Sequence, residues 1–253
     1  MFGTFKGKIT YCAKTDRGLR YNVNQDAIAA FTQGSLGLFV LSDGMGGHSM
    51  GELASRCIAL QYSNYWQQLM SLPQLPDFAT LTWQVQQVLL QANQMIYAQY
   101  NQGQVCGATA VVLLIWEDCY AVLSVGDSHI YSLMDKSLRP LSVDDIWDLL
   151  PSTISTFTPE QIALHQSRGK LVQAVGTKPD INIHVSSDRI KKGQVFLLCS
   201  DGLYKFCDDK QIEKGLRSIK SESSMQNVMG EYLQNVFDNG AGDNVSIILV
   251  QVI

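Results

Sequence analysis

Short, continuous runs of apolar residues dominate the hydrophobic pattern of this chain, and most of them end at Gly, Asp or Ser. Runs of this length that are rich in Val, Ile and Leu are typical of buried strands. They predict strands at 38–41, Ala110–Trp116, 120–125, Val195–Cys199 and Val245–Val252. Glu117 and Asp118 separate two of these runs and predict a tight hairpin.

Three other stretches repeat apolar residues every three or four positions, which predicts amphipathic helices. The first begins near Gly51 and places Leu53, Cys57 and Leu60 on one face. The second begins near Thr82, and the third covers 222–237. Their apolar positions are Val85, Val88, Leu89, Ala92, Met95 and Ile96 in the second helix and Met225, Val228, Met229, Tyr232, Leu233 and Val236 in the third. We expect all three faces to cover a sheet.

The order of these elements favours an α+β layered sandwich. Strands and helices come in separate runs rather than in strict alternation, which argues against a doubly wound sheet. Because no linker or internal repeat interrupts the pattern, we expect a single domain over residues 1–253. The exception is a long irregular region at about 136–178, with a predicted capping box at 158–161. Long loops of this kind in a compact domain are usually functional.

Composition and charge exclude several classes of function. Hydrophobic residues make up 46% of the chain, the formal net charge is −4, and no run of Lys and Arg exceeds two residues. This argues against binding to nucleic acid or to an anionic membrane. The first residues lack the apolar segment of a signal peptide, and the longest apolar run is too short to span a bilayer. Six scattered cysteines without a C-x-x-C pair favour reduced thiols over a zinc site or disulfides, so we expect a soluble, cytoplasmic protein.

Four aspartates stand at the ends of predicted strands, each beside a glycine. Asp43 and Asp201 each follow a strand in the sequence Ser-Asp-Gly. Asp127 follows a strand in Gly-Asp-Ser, and Asp243 precedes one in Gly-Asp-Asn. One acid at a strand end is ordinary turn chemistry, but four are harder to explain in that way. If these strand ends lie together, the carboxylates repel one another and need cations or protons for stability.

Oxygen ligands without His or Cys favour hard ions, Mg²⁺ or Mn²⁺, over zinc or copper. Two such ions about 4 Å apart can share a water, lower its pKa and hold it as a nucleophile. Phosphate esters are the natural substrates, because the ions neutralise charge on the phosphoryl oxygens. A serine or threonine leaving group needs an acid, and His48, on the glycine-rich turn after Asp43, is the candidate.

At these motifs the chain resembles the metal-dependent PP2C-type serine/threonine protein phosphatases in their compact bacterial form. The motifs follow the family's order through almost the whole chain: Asn24-Gln25-Asp26, DGMGGHSMGE at 43–52, Gly107-Ala108-Thr109, SVGDSHIY at 124–131, AVGT at 174–177, CSDGL at 199–203 and GDNVS at 242–246. Ser-Asp-Gly alone is a weak signal, but the ordered set is very specific. The resemblance implies a four-layer α-β-β-α sandwich, with two antiparallel central sheets flanked by helices and the site at one edge.

The resemblance also implies a set of metal ligands. By motif position, Asp43 bridges two ions and Gly44 adds its backbone carbonyl. Asp201 and Asp243 complete the first ion's ligands, while Asp127 and Asp201 hold a third, weaker ion. The expected cofactors are therefore Mn²⁺ or Mg²⁺.

Further residues receive roles from the same resemblance. Asp26 lies around the metal-bound water, and His48 acts as the general acid. The region at about 136–178 corresponds to the family's variable flap, which influences substrate choice. The expected partners are phosphorylated proteins, substrates of a bacterial Ser/Thr kinase, and we expect a monomer.

Three positions depart from the family's pattern. The usual phosphate-binding arginine is replaced by Tyr21, and Arg20 stands one residue earlier. On a strand, a shift of one residue turns the side chain to the other face, so Arg20 can bind phosphate only if a bulge corrects the register. Arg17 is a second candidate for phosphate binding. The arginine that usually follows Gly-Asp-Ser is His129, and the flap's common Asp-His pair is Asp144-Asp145.

Two other interpretations remain. Gly-Asp-Ser-His at 126–129 matches the opening of calcineurin-like metallophosphoesterases, but the chain has four His residues in all and no Gly-Asn-His motif. The non-enzymatic alternative is a pseudophosphatase that binds phosphoproteins as a regulatory module. The displaced arginine favours that alternative, whereas the intact set of aspartates argues against it.

Overall fold

The structure, a computed structural model, describes residues 7–46, 50–100, 105–135 and 137–253. Within these residues the strands are β1 (Ile9–Asp16), β2 (Asp26–Gln33), β3 (Leu36–Gly46), β4 (Cys106–Ala108), β5 (Ala110–Trp116), β6 (Cys119–Val125), β7 (His129–Met134), β8 (Ser137–Pro140), β9 (His184–Arg189), β10 (Val195–Cys199) and β11 (Val245–Val252). The α-helices are α1 (Met50–Met70), α2 (Phe78–Tyr100), α3 (Pro151–Thr156), α4 (Pro159–Leu164), α5 (Asp201–Tyr204), α6 (Asp209–Ser218) and α7 (Glu222–Asp238). A 3₁₀ turn covers Trp147–Leu149.

The strands form two antiparallel sheets. The strand order is β1-β11-β10-β7-β8 in one sheet and β2-β3-β5-β6-β9 in the other, and β4 pairs with the end of β3. Each sheet mixes strands from both halves of the chain, since β1 lies beside β11 and β6 lies beside β9. Residues far apart in sequence therefore meet at the sheet ends.

Burial on both faces explains why the central strands are continuous apolar runs. In β10, Phe196 and Leu198 pack between the two sheets. Val195, Leu197 and Cys199 point the other way and pack under α6 and α7. The second sheet is covered in the same way by α1 and α2. This order of helices, sheet, sheet and helices confirms the predicted four-layer α-β-β-α sandwich.

All five predicted strands are present, three of them with the predicted bounds: Ala110–Trp116, Val195–Cys199 and Val245–Val252. The hairpin between β5 and β6 is also confirmed. Trp116 pairs with Cys119 across the two-residue turn, where Glu117 takes a left-handed φ of 55°.

The buried faces of α2 and α7 agree with the prediction, but the predicted face of α1 is wrong. Leu53 and Leu60 are 41% and 57% exposed, and the helix instead buries the face that carries Ala54 and Ile58. The cause is close packing on β3, because a Cβ atom at Gly51 would lie 2.7 Å from the backbone of that strand. The buried face thus begins with small residues, which apolar periodicity does not detect, and continues with Ile58 and Tyr62. None of the described helices is long and apolar enough to cross a membrane.

The region at 136–178, predicted as irregular, contains β8, the 3₁₀ turn, α3 and α4. The predicted capping box is confirmed at the start of α4. The Thr158 hydroxyl accepts a hydrogen bond from the Gln161 backbone N–H, and the Gln161 side chain accepts one from the Thr158 N–H. These elements are too short to show a repeating pattern of apolar residues, so the sequence does not predict them.

Candidate active site

Two of the candidate aspartates lie opposite each other on neighbouring strands. Asp26 is the first residue of β2, and the antiparallel register pairs it with Asp43 on β3. β3 also pairs with β4 and β5, so Asp43 lies on a strand with partners on both sides. The carboxylate positions are therefore fixed by the sheet itself.

Three more aspartates come from the other sheet. The last residue of β10 pairs with the first residue of β7 and with the third residue of β11. Asp201, Asp127 and Asp243 lie just beyond these strand ends, at the same end of the sandwich. Burial, and then the charges of Asp26 and these three aspartates, raise the pKa of Asp43 well above its usual value. All five carboxylates are therefore within electrostatic reach of one another.

The other acids of this cluster are perturbed in the same direction. Burial raises the pKa of Asp26 to about 6, and the charges of Asp201 and Asp243 add to the effect. Burial and then the charge of Asp201 raise the pKa of Asp127 to about 6 and the pKa of Asp243 above its usual value. Lys205 offsets part of the repulsion, since its ammonium group contacts Asp201 Oδ2. Because buried carboxylates that repel one another are stabilised by positive charge, this cluster favours the binding of cations.

The donor set fits a hard divalent cation. Oδ1 of Asp26 and Oδ1 of Asp201 are buried and have no hydrogen-bond donor among the described residues. In the part of the chain that the structure describes, no group of three or more Asp, Glu, His or Cys side chains is arranged closely enough to hold a metal ion. Carboxylate and backbone carbonyl oxygens are the ligands that Mg²⁺ and Mn²⁺ prefer.

A serine pair joins the two sheets at the site. Ser200 Oγ donates to Asp26 Oδ2 at 2.8 Å and accepts from the Ser246 N–H at 2.9 Å. The Ser200 N–H donates to the Ser246 carbonyl at 3.1 Å. Asp26 is thus held by residues of the opposite sheet. The sequence motifs contain both serines but do not reveal this contact, which spans 174 positions between Ser200 and Asp26.

Asn244 holds the loop that leads into β2. Its Oδ1 accepts from the Gln25 N–H at 2.8 Å, and its amide group donates to the Arg17 carbonyl at 2.8 Å. The Gln25 carbonyl in turn accepts from the Gly44 N–H at 3.0 Å. A Cβ atom at Gly44 would lie 2.5 Å from that carbonyl, and one at Gly202 would lie 1.9 Å from the Asn244 carbonyl. Both Asp-Gly pairs therefore need glycine for close approach of the backbone.

Thr109 fixes the backbone of Asp43. Its hydroxyl accepts from the Asp43 N–H at 3.0 Å, and its own N–H donates to the Asp43 carbonyl at 2.8 Å. The same hydroxyl shares a 2.6 Å hydrogen bond with Ser128 Oγ, next to Asp127. The Gly-Ala-Thr motif thus links the two aspartates, a role that the sequence alone does not indicate.

The candidate phosphate-binding arginines lie in a loop rather than on a strand. Residues 17–25 connect β1 to β2, so the expectation that a one-residue shift turns Arg20 to the opposite face is wrong. Arg20 is exposed, and its charge lowers the pKa of Asp243 against the effect of burial, so it lies within electrostatic reach of the carboxylates. Its guanidinium lies 5.5 Å from the centre of the Tyr21 ring. Arg17 is exposed in the same loop.

The two remaining departures from the family's pattern are connected to each other. His129 Nε2 lies 3.0 Å from Oδ1 of Asp144, so the flap pairs with the start of β7. The His129 ring stacks on Tyr204 with 4.0 Å between ring centres, and the Tyr204 hydroxyl donates to the Asp127 carbonyl at 3.0 Å.

The structure brings most of the predicted site residues together at one end of the sandwich. They are Asp26, Asp43, Gly44, Asp127, Asp201 and Asp243. His48, the predicted general acid, lies outside the described residues.

Comparison with known proteins identifies the family. The family model described as "Protein phosphatase 2C" matches residues 20–246. The chain belongs to the protein phosphatase 2C family. The match covers every predicted site residue except Arg17, and it confirms the family that the ordered motifs indicated.

Individual members of this family match over nearly the full chain. The serine/threonine phosphatase stp of Listeria welshimeri is 26% identical over 243 residues, which are 94% of each protein. The crystal structure of the serine/threonine phosphatase Stp1 from Staphylococcus aureus superposes with a TM-score of 0.81 at 25% identity, covering 100% of this chain and 98% of that one. The catalytic domain of the phosphatase PstP, solved in complex with two manganese ions, has a TM-score of 0.74 at 25% identity and covers 97% of this chain and 98% of that one. These likenesses confirm the predicted fold and the enzyme class, a protein serine/threonine phosphatase.

Proposed function

We propose that this phosphatase hydrolyses phosphoserine and phosphothreonine in proteins at a site for two Mn²⁺ or Mg²⁺ ions, with a third, weaker ion beside it. The first two ions would be held by Asp43, the Gly44 carbonyl, Asp201 and Asp243. Asp127 and Asp201 would hold the third. The PstP catalytic domain, with its two manganese ions, supports this choice of metal.

The observation that carries the proposal is the convergence of five carboxylates from two sheets at one end of the sandwich. Burial and mutual repulsion raise the pKa of Asp43, Asp26, Asp127 and Asp243, so at neutral pH the cluster is costly without a neutralising charge. Two buried carboxylate oxygens also lack donors among the described residues. Divalent cations meet both requirements at once.

When bound, the ions would supply an activated water as the nucleophile and positive charge for the phosphoryl oxygens. Asp26, fixed through Oδ2 by Ser200, would accept a hydrogen bond from the attacking water at Oδ1, which has no donor among the described residues. His48 would donate a proton to the leaving serine or threonine oxygen. Arg20 would bind the phosphate oxygens from the loop 17–25, and Arg17 is the second candidate for that role.

We further propose that residues 1–253 form one domain in which the region 136–178 acts as a substrate-selecting flap. The substrates would be proteins phosphorylated by a bacterial Ser/Thr kinase, and the phosphatase would act as a monomer in the cytoplasm. The named serine/threonine phosphatases among its relatives support this substrate class.

The test is hydrolysis of p-nitrophenyl phosphate and of a phosphothreonine peptide by the purified protein, with Mn²⁺, with Mg²⁺ and with EDTA. We expect turnover of both substrates with metal and none with EDTA. Turnover that survives EDTA would contradict the metal mechanism.

The second candidate function is a pseudophosphatase that binds phosphoproteins. The observation in its favour is Tyr21 in place of the usual arginine. The electrostatic reach of Arg20 to Asp243 weakens that case. A folded protein that binds a phosphothreonine peptide without hydrolysing it under any metal would favour this alternative.

A further inference from the structure

A buried carboxylate of the flap contacts the backbone next to one proposed metal ligand. Asp145 is 4% exposed, and its Oδ2 accepts a hydrogen bond from the Gly126 N–H at 2.8 Å. The Asp145 N–H donates back to the Gly126 carbonyl at 2.9 Å. Asp145 therefore forms hydrogen bonds with both the N–H and the carbonyl of Gly126, the residue before Asp127.

Two further side chains hold the Asp145 carboxylate in place. His184 Nε2, on β9, lies 2.9 Å from Oδ1. Gln173 Nε2 donates to Oδ2 at 2.8 Å and also to the Asn182 carbonyl at 2.8 Å. The buried charge is thus hydrogen-bonded through both oxygens, which is the condition for a stable buried carboxylate.

Asp145 lies where two segments of the flap, 145–147 and 170–172, run antiparallel to each other. The Asp145 carbonyl accepts from the Val172 N–H at 2.8 Å, and the Trp147 N–H donates to the Lys170 carbonyl at 2.9 Å. Between them, Ile146 pairs with Leu171 in an antiparallel bridge. Asp145 is therefore hydrogen-bonded both to the facing segment of the flap and to Gly126.

Other residues also restrict the backbone of the Gly126–Asp127 turn. Gly126 takes a left-handed φ of 97°, and a Cβ atom on it would lie 2.7 Å from the Thr109 side chain. The Asp127 carbonyl accepts from the Tyr204 hydroxyl at 3.0 Å. The turn is thus fixed by Thr109 on one side, by Tyr204 on another and by the flap through Asp145.

We infer that Asp145 is a positioning residue that fixes the Gly126–Asp127 turn, so that the flap controls how well Asp127 binds its metal ion. This inference rests on the proposed function, because it takes Asp127 as a ligand of the weaker ion. Groups that orient metal ligands commonly change metal affinity by about 10- to 100-fold when removed. Asp145 acts through the backbone of the turn and touches neither metal nor substrate.

The experiment compares Mn²⁺ binding, measured by calorimetric titration, in the wild type and in Asp145→Ala. We expect the weakest Mn²⁺ step to lose about 10-fold or more in affinity, while the tighter steps are unchanged. Hydrolysis of p-nitrophenyl phosphate should fall at low Mn²⁺ and recover with excess Mn²⁺. Because Mn²⁺ also stabilises the folded state, the unchanged tighter steps, rather than the rescue, separate this result from simple destabilisation of the fold.

Two variants control for charge and for the flap itself. Asp145→Asn keeps an oxygen that accepts from Gly126, so we expect it to retain Mn²⁺ affinity within about threefold. Asp148→Ala removes a comparable bond inside the flap, since Asp148 Oδ1 accepts from the Gly169 N–H at 2.6 Å, and should bind Mn²⁺ as the wild type does.

A folded Asp145→Ala variant whose Mn²⁺ isotherm matches the wild type would overturn the inference. If that variant does not fold, His184→Ala tests the inference instead, because it removes only the contact to Asp145 Oδ1 and keeps the hydrogen bonds to Oδ2. We then expect a several-fold loss in the weakest step, and an unchanged isotherm would overturn the inference. A wild type that binds no Mn²⁺ would instead contradict the proposed function and this inference with it.

Discussion

The strand-held and the loop-held parts of the site differ in what fixes them. Asp26 and Asp43 lie in register on adjacent strands. Asp26 accepts a hydrogen bond from Ser200, and the Asp43 N–H donates one to Thr109. Asp127 and Arg20 lie on connections between strands, and contacts from outside the sheet, such as the Tyr204 hydroxyl on the Asp127 carbonyl, define the geometry there. The register of the strands thus fixes Asp26 and Asp43, whereas contacts from outside the sheet fix the Asp127 backbone.

The strongest test of the strand-held part is Asp43→Asn. Turnover of p-nitrophenyl phosphate with Mn²⁺ should fall at least about a thousandfold, equal to about 4 kcal/mol of transition-state stabilisation. The fold should persist, because the amide removes one repelling charge from the cluster. The matched control is Asp238→Asn, on the exposed end of α7, which should retain wild-type turnover. Comparable turnover in the two variants would remove Asp43 from the metal site.

The next largest effect is expected for His48→Ala. Hydrolysis of a phosphothreonine peptide should slow by about a hundredfold, since the alkoxide leaving group needs a proton. Hydrolysis of p-nitrophenyl phosphate should change little, because its phenolate is a good leaving group. Steady-state rates on both substrates at several pH values make the comparison. Equal losses on both substrates would exclude His48 as the acid.

Metal removal should expose the repulsion among the strand-held carboxylates. For the folded protein in EDTA, the pKa of Asp26 and the pKa of Asp127 are each raised to about 6, so the folded state binds more protons than the unfolded state. The contribution of these two carboxyl groups to stability should therefore be greatest near pH 4 and fall as the pH rises to about 6, by roughly 3 kcal/mol for each group. Denaturant melts across this range, with and without Mn²⁺ at pH 7, measure the effect. Stability in EDTA that rises over the same interval would contradict the repulsion.

The smallest effect is expected for the loop-held Arg20. Arg20→Ala should raise KM for the phosphothreonine peptide by about tenfold, with a smaller change in kcat, because one charge-assisted contact to phosphate is lost. Arg17→Ala, in the same exposed loop, is the matched control and should change KM less. The reverse ranking would transfer the phosphate-binding role to Arg17.

The sequence predicts the centre of the fold better than its edges, for a physical reason. Val195–Cys199 is buried on both faces, so its apolar run marks the strand without ambiguity. β9, His184–Arg189, lies at a sheet edge and is mostly exposed, so its polar residues give no strand signal. The sequence misplaces the face of α1 because the first buried positions of that helix are Gly51, Ala54 and Ser55, which give little apolar signal.

The same limit applies to the site. Four of the aspartates, Asp43, Asp127, Asp201 and Asp243, could be predicted because each stands beside a glycine at the end of a recognisable strand, whereas Asp26 follows only from the family resemblance. The supporting contacts could not, because Ser200 reaches Asp26 over 174 positions and Asn244 reaches Gln25 over 219. A serine or asparagine gives no local sign of such a distant partner, and only the register of the two sheets brings them together.

The most direct test of the central claim is calorimetric titration of Mn²⁺ into the metal-free wild type and into Asp43→Asn. The convergence of carboxylates predicts that the wild type binds more than one ion and that the variant loses the tight step. A wild type that binds no Mn²⁺, or a variant that binds it equally well, would show that the carboxylates at this end of the sandwich do not form a metal centre.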